Sequence, residues 1–441
     1  MMFLRVLVIA LGFILIVLSR VFASSLHVSE MSAYPSWEAG GLANTHVWMD
    51  PSATYHNPAG LAFAQKIQFS MGAFKAFHFF HPIQDIVIQN GSIGKSVAYG
   101  DVNTNDASPS GLNTGLIFPM SYVTFGLWAY LPKDFLLNVK TQEMYMPAYG
   151  AYFGNARHFS VIAGMGFEPL KNFSLGISGN FYLTTAANTR VNVNGTNSTF
   201  DLAMDVKPAV APILGCSYQS KTWGIAGAWH APLDYAMSLQ NTTDLVFMGT
   251  QDDQTGEIHF PAVSFLSQSA LFYEPEMVQG QIDYRWIHGM NIGLGLNWKH
   301  WKKYKPSTNV LAIMNPGGMK TSQPMVAFKN IFSPSIHLEI PWRKWRFHSQ
   351  YRYEPEHVET QEAQSNFLDT TTHIFNSGVS YAFKEWMGHP VTVDVQLQLD
   401  QLETRKIRKE NYYDIGYHPD GYLIGGRVFQ TGIVLSTQLP S

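Results

Sequence analysis

Through much of the chain, apolar and polar side chains take turns with a period of two, the pattern of a strand with one apolar face. Phe173, Leu175, Ile177, Phe181 and Leu183 alternate with Ser174, Gly176, Ser178, Asn180 and Tyr182. Val391, Val393, Val395, Leu397 and Leu399 alternate with Thr392, Asp394, Gln396, Gln398 and Asp400. The same rhythm runs through Trp223–His230 and Asn291–Trp298. One face is apolar and aromatic, and the other is small, polar or charged.

Read this way, the sequence predicts strands over Ile67–Phe77, Gly111–Pro119, Tyr122–Pro132, His158–Phe167 and Phe173–Thr185. Further strands fall at Asp201–Tyr218, Trp223–Met237, Glu276–Trp286, Asn291–Trp301 and Lys329–Ile340. The last four are Trp345–Tyr353, His373–Phe383, Val391–Leu402 and Tyr422–Leu439. That makes about 14, an even number, as in bacterial single-chain barrels. Tight turns near Pro169–Asn172, Gln219–Thr222, His288–Met290, Pro341–Lys344 and Glu385–Pro390 alternate with long connections. The long ones are Ala186–Phe200, Ser238–Glu274, Lys303–Ala327, Glu354–Thr371 and Glu403–Gly421. A sandwich has no reason to keep that asymmetry. A barrel crossing an outer membrane does, with short periplasmic turns and long outer loops.

Composition sharpens the choice. Charged residues are 14% of the chain, against roughly 25% in ordinary soluble proteins. A water-exposed surface built from so few charges would be hard to keep monomeric, whereas a surface against lipid needs none. The net charge of −3 leaves no basic excess for nucleic acid. Cys216 is the sole cysteine, which rules out an intrachain disulfide. Arg5, the apolar run Val6–Leu18 and Val21-Phe22-Ala23 make a charged, hydrophobic and small-residue series. Residues 1–23 therefore read as a signal peptide for Sec export, and no cysteine follows to make a lipoprotein.

Ser24–Lys66 does not alternate and is rich in Gly, Ala, Ser, Asn and Pro. It reads as a folded plug inside the barrel. The expected organisation is a signal peptide (1–23), an N-terminal hatch (24–66) and an all-β, antiparallel transmembrane barrel with long outer loops (67–441).

Within that plug stands Asp50-Pro51-Ser52-Ala53-Thr54-Tyr55-His56-Asn57-Pro58-Ala59-Gly60-Leu61. Its Asn-Pro-Ala step shortly before the first strand resembles the hatch of the FadL/TodX family of hydrophobic-compound transporters. Other stretches follow in the order that family shows. They are Trp298-Lys299-His300-Trp301, Phe328-Lys329-Asn330, Tyr351-Arg352-Tyr353-Glu354-Pro355, Asn366-Phe367-Leu368-Asp369 and Gly378-Val379-Ser380-Tyr381-Ala382-Phe383. The resemblance implies a 14-stranded barrel closed by the hatch, passive uptake of long-chain fatty acids or similar molecules, and lateral release through a gap in the wall. Two departures stand out. The chain ends Thr437-Gln438-Leu439-Pro440-Ser441, where such barrels finish on an aromatic residue that signals assembly, and Trp37–Met49 matches poorly.

On this reading Asn57, Pro58, Ala59 and Gly60 shape the hatch turn. Phe247, Phe260, Phe265, Leu266 and Phe272 in the long Ser238–Glu274 connection are candidates for ligand capture. Each buried methylene of a ligand tail would contribute about 0.8 kcal/mol. Trp298, Trp301, Lys302, Lys303 and Tyr304 are candidates for an outer aromatic girdle meeting lipopolysaccharide, or for holding a ligand head group. Arg405, Lys406, Arg408 and Lys409 fit the girdle account as well. Asp283, Arg346, Arg352, Asp394 and Asp400 are expected to pair with one another in a wet lumen.

The expected partners are a hydrophobic small molecule, outer-membrane lipid and lipopolysaccharide, and the barrel assembly machinery. No cofactor, metal or nucleic acid is expected, and the protein should be monomeric. Competing readings are a phospholipase-like barrel enzyme and a structural or adhesive barrel. The chain has neither a Gly-x-Ser-x-Gly elbow nor a His-x-Ser-Asn-Gly stretch. Gly91–Ser96 lacks the first glycine of a phosphate loop, and His78 and His81 have a metal-like spacing only if helical.

Overall fold

The computed structural model describes residues 50–90, 97–102, 110–132, 137–139, 147–149, 156–158, 160–194, 197–248, 257–259, 263–286, 288–304, 308–313, 320–321, 327–359, 366–386 and 389–439. The signal-peptide reading, the Ser24–Met49 part of the plug and Gly91–Ser96 lie outside them. Fourteen antiparallel strands close on themselves into a barrel. They are β1 (Ile67–Phe80), β2 (Ser110–Pro119), β3 (Thr124–Pro132), β4 (Ser160–Leu170), β5 (Phe173–Asn194), β6 (Asn197–Gln219) and β7 (Trp223–His230). The second half is β8 (Met277–Arg285), β9 (Asn291–Lys299), β10 (Ile331–Trp342), β11 (Trp345–Glu354), β12 (Thr372–Trp386), β13 (His389–Ile407) and β14 (Tyr422–Leu439). Closure is made by β1 against β14, from Ile67 opposite Leu439 to Phe80 opposite Gly426. Both ends of the barrel therefore lie at the short-turn rim.

Closure explains why the alternation was so regular. Each strand divides an outer surface from a lumen, and closure pairs backbone groups that an open edge would leave exposed to lipid. Along β9, Leu294 and Leu296 point outward and are exposed, while Asn291 and Asn297 point inward and are buried. On β13, Val395 and Leu397 are exposed, and Asp394, Gln396 and Asp400 are buried. This inverts the rule for soluble proteins and suits a lipid-facing wall. Aromatic groups gather near the short-turn rim. Tyr284 meets Trp223 and Trp286, both at 4.8 Å, and Tyr381 meets Trp345 at 4.5 Å and Phe383 at 4.7 Å.

The outer end departs from the sequence expectation. Ala186–Phe200 is not a loop: β5 and β6 run on as a paired hairpin to Asn194 and Asn197. The predicted strand Trp223–Met237 breaks after His230, where Pro232 interrupts the ladder. The chain then crosses to the far edge of the β5 extension, pairing Met237–Val246 in parallel with Thr185–Asn194. The described parts of the Ser238–Glu274 connection are likewise strand: Leu233–Thr243 pairs with Val263–Glu274, which in turn pairs with Thr308–Ile313. The β5–β6 extension is rich in Asn, Thr and Ser on both of its faces. Above the lipid no face has to be apolar, so the strands continue without the alternation that would reveal them.

Inside the mouth, Ile83–Asn90 pairs with Val97–Val102. Ile83 and Ile86 are fully buried with Phe80, Leu402, Ile424 and Val428. Every pair of neighbouring barrel strands is hydrogen-bonded, with the shortest ladders at β3–β4 and β6–β7. The implied lateral gap is therefore not an interruption of pairing among the described residues.

Candidate functional site in the barrel lumen

The segment ahead of β1, expected to form the hatch, lies against the wall as a short helix, α1 (Ala53–His56), followed by a 3-10 turn over Pro58–Phe63. Asn57 makes the corner. Its side-chain oxygen accepts from the Ala59 amide at 3.1 Å, and its side-chain nitrogen donates to the Cys216 carbonyl of β6 at 3.1 Å. Pro58 sits at the start of the turn, where its missing N–H costs nothing. Asn57, Pro58, Ala59 and Gly60 are all buried against the wall. Ser178 of β5 donates to the Thr54 carbonyl at 2.6 Å, and the His230 ring of β7 lies 3.3 Å from the His56 carbonyl.

The wall makes room by omitting side chains. A Cβ added at Gly176 would stand 2.2 Å from the Pro58 carbonyl carbon, and one at Gly215 would stand 2.0 Å from the Asn57 side-chain oxygen. Neither backbone nor a doubly bonded Asn side chain can retreat that far, so glycine is needed for the close approach. Beside this cradle lies a buried apolar cluster of Tyr55, Phe74, Trp128, Tyr130, Ile162 and Ile213 with Leu233.

The opposite wall, β8–β13, is lined by polar and charged groups. His337 lies 2.9 Å from Asp283, over Gly293, and Arg346 pairs with Glu339 at 3.2 Å. Ser380 donates to Asp394. Lys299 and Glu354 form a buried ion pair at 2.6 Å, and His357 spans Glu354 and Asp369 at 3.3 and 3.2 Å. Burial disfavours charge on His357, but Asp369 and Glu354 outweigh it and lift its pKa to about 10. With a carboxylate at each ring nitrogen, His357 has no free position to act as a base toward a nucleophile. Arg352 is buried beside this network; its Nε has no hydrogen-bond partner among the described residues, and its charge acts on Glu354.

The other sequence candidates separate. Phe247, Phe265, Leu266 and Phe272 lie on the outer strands, opposite Ile258, Asn241, Gln240 and Tyr235 respectively. Phe260 lies outside the described residues. Trp298 remains on β9 opposite Val278 and Phe332, but Trp301 turns inward. It is buried against Phe328 and His357, with Tyr304 on Phe328. Lys302 and Lys303 are exposed, and Lys303 reaches Glu276 at 3.1 Å. Lys409 does not face outward: it is buried, donating to Asn366 at 2.6 Å and the Ile415 carbonyl at 2.7 Å. Arg405 holds Glu356 at 2.6 Å. His78 is buried on β1 while His81, beyond its end, meets Thr404, and no metal-ligand cluster occurs among the described residues. The glycine cradle went unread in the sequence. Its signal was available, because Gly166, Gly176 and Gly215 occupy inward positions on three successive strands.

No family model matches the chain, and no curated protein matches it in sequence. Solved structures do match in fold. A Pseudomonas aeruginosa FadL homologue is 14% identical, with a TM-score of 0.54 over 95% of this chain and 98% of that one. The CymD monoaromatic hydrocarbon channel is 10% identical, with a TM-score of 0.55 over 95% of this chain and 100% of its own. The Ralstonia pickettii toluene transporter TbuX is 13% identical, with a TM-score of 0.50 over 88% and 94%. The chain has the fold of these hydrophobic-compound transporters, end to end.

Proposed function

We propose that the protein is an outer-membrane channel for passive uptake of hydrophobic small molecules. Molecules enter at the long-connection end, pass the hatch and leave toward the membrane or periplasm. The observation that carries this reading is an apolar aromatic cluster placed inside a membrane barrel. Tyr55 of the hatch joins Phe74, Trp128, Tyr130 and Ile162 of the wall. The cluster packs the plug against the wall, and where the plug shifts it offers a hydrophobic solute an apolar surface, at about 25 cal/mol for each Å² of apolar surface removed from water. The chain shares the barrel fold of the FadL homologue, TbuX and CymD.

The hatch turn Asn57–Gly60 is the gate element of this proposal, and the outer sheet built on Leu233–Met248 is where ligands first meet the protein. Uptake of radiolabelled oleate and of toluene by cells lacking the gene, with and without restoration, tests the reading. Restored cells should take up at least one of the two faster than deleted cells. Equal rates for both compounds would overturn the proposal, and lipase activity of the purified protein would favour the enzyme alternative.

A further inference from the structure

The outward face of the wall changes character along one lateral row. Across β11, β12, β13, β14 and β1, Tyr353 stands opposite His373, His373 opposite Gln401, Gln401 opposite Arg427, and Arg427 opposite Phe79. Eight residues lower on the same strands is the row of Trp345, Tyr381, Val393, Leu435 and Met71, beside the short-turn rim. At the rise and tilt of barrel strands that separation is about 20 Å of height, close to that of a barrel's apolar band. Between the two rows the outward positions of β11 to β14 hold no charge, and the exposed Phe375, Leu397 and Phe429 are among them. Charge returns at the upper row, where lipid head groups begin.

Arg427 is exposed there and held in place. Its Nε donates to the Gln401 side-chain oxygen at 2.9 Å, and the Gln401 amide donates in turn to the Leu402 and Gly426 carbonyls at 3.2 and 3.3 Å. Its terminal nitrogens make no hydrogen bond or ion pair among the described residues. The carboxylate of this face, Glu403, bonds His373 at 3.0 Å, and the other ring nitrogen of His373 meets the Tyr351 hydroxyl at 2.8 Å. Phe79, opposite Arg427 and 61% exposed, and Phe429, two residues along β14, give the guanidinium an apolar surround. Higher on the same face, exposed Lys406 stands opposite Leu423 and adds a second cation. A fixed fork of N–H donors at the top of an apolar wall matches a phosphate that carries acyl chains.

We infer that Arg427, with Lys406, binds the phosphate of an outer-leaflet lipid whose acyl chains run down the wall past Phe429. The site is on the outside of the barrel, and it needs only the outer-membrane placement of the channel reading.

The test is native mass spectrometry of the full-length protein in neutral detergent. The protein is titrated with bisphosphorylated lipid A, with the same lipid stripped of phosphate, and with inorganic phosphate. Wild type, Arg427→Gln, Lys406→Gln and Arg343→Gln are compared, with heat-shifted gel mobility confirming the closed barrel. Arg427→Gln should bind lipid A about tenfold more weakly than wild type, and Lys406→Gln about fivefold. Arg343→Gln, which removes an exposed cation at the short-turn rim, should bind as wild type does. The phosphate-free lipid should bind all four proteins alike and weakly. Equal affinity of wild type for the two lipids, or no greater loss in Arg427→Gln than in Arg343→Gln, overturns the inference. Inorganic phosphate that displaced lipid A at equal concentration would make this a site for a free anion and would also overturn it. If Arg427→Gln does not close into a barrel, Lys406→Gln against Arg343→Gln decides by the same criterion. Uptake is not read in this experiment, so its outcome leaves the channel reading to the uptake assay.

Discussion

The two halves of the barrel wall solve different problems with the same outer face. From β1 to β7 the buried positions of the wall carry mainly glycine, small polar, isoleucine, histidine and aromatic side chains, with Lys75 among them and the Asp205–Lys207 pair exposed on the outer part of β6. From β8 to β13 the inward positions carry Asp283, Lys299, Glu339, Arg346, Arg352, Glu354, Asp394 and Asp400. The first half has the hatch pressed against it, and a solid plug demands space and shape. The second faces across the lumen, where polar groups answer one another. In the hatch half, close packing holds the structure, and an added carbon should break it. In the charged half, electrostatic balance does the holding, and a removed charge should break it.

The largest effect is expected in the charged half. Glu354 is buried and bound to both Lys299 and His357. Glu354→Gln leaves those two cations facing Asp369 alone, and breaking a buried pair costs about 3–5 kcal/mol. Chemical unfolding in detergent, followed by loss of heat-shifted mobility, should show that loss. Adding Lys299→Met should recover part of it, because the orphaned charge is then gone. If Glu354→Gln unfolds at the wild-type denaturant concentration, the charged half is not held by its pairs.

A smaller effect is expected from adding carbon to the hatch half. Gly176→Ala drives a methyl group toward the Pro58 backbone, and overpacking of this kind costs about 1–3 kcal/mol. The equivalent change in the charged half, Gly295→Ala, meets the Ser335 hydroxyl at 2.6 Å, which can rotate away. Limited proteolysis at the hatch should therefore quicken in Gly176→Ala and stay unchanged in Gly295→Ala. Equal behaviour of the two variants would erase the distinction between the halves.

The sequence carried the barrel because lipid imposes a rule on every crossing strand. Leu294, Leu296, Val395 and Leu397 had to face outward, and their alternation with Asn, Gln and Asp exposed the strand positions. Where lipid ends, so does the rule. The outer part of the β5–β6 hairpin has no apolar face and reads as a loop, while Leu233–Met237 falls within a predicted strand and the rest of Leu233–Met248 within a predicted long connection. Trp301 was misplaced for a related reason. Trp298 and Trp301 look like one girdle, but β9 stops at Lys299 and the 3-10 turn Trp301–Lys303 swings the second ring into the interior. The hatch corner was visible as Asn57-Pro58-Ala59, whereas its cradle depends on glycines from separate strands that only the closed barrel brings together. Arg352 was visible as a luminal charge, but the network of Lys299, Glu354, His357 and Asp369 beside it is assembled only in space.

The smallest effect separates the halves by pH. His357 follows the end of β11, and its folded pKa of about 10 lies above the ordinary value of 6.5. A raised folded pKa means that its stabilising charge is fully present below about pH 6.5 and is lost as pH rises through about 10. The 355–371 connection that His357 ties to Asp369 should thus loosen progressively across that window. Proteolysis of the connection, measured at intervals of pH with a protease active throughout, should accelerate in wild type. His357→Gln should give a flat profile, already fast at neutral pH, because no proton remains to be lost. The hatch corner depends on the Asn57 bonds to the Ala59 amide and the Cys216 carbonyl, none of which titrates, so cleavage at the hatch should not change over the same range. A hatch that loosened in step with the 355–371 connection would mean that the charged wall controls the plug, and the two halves would have to be treated as one cooperative unit.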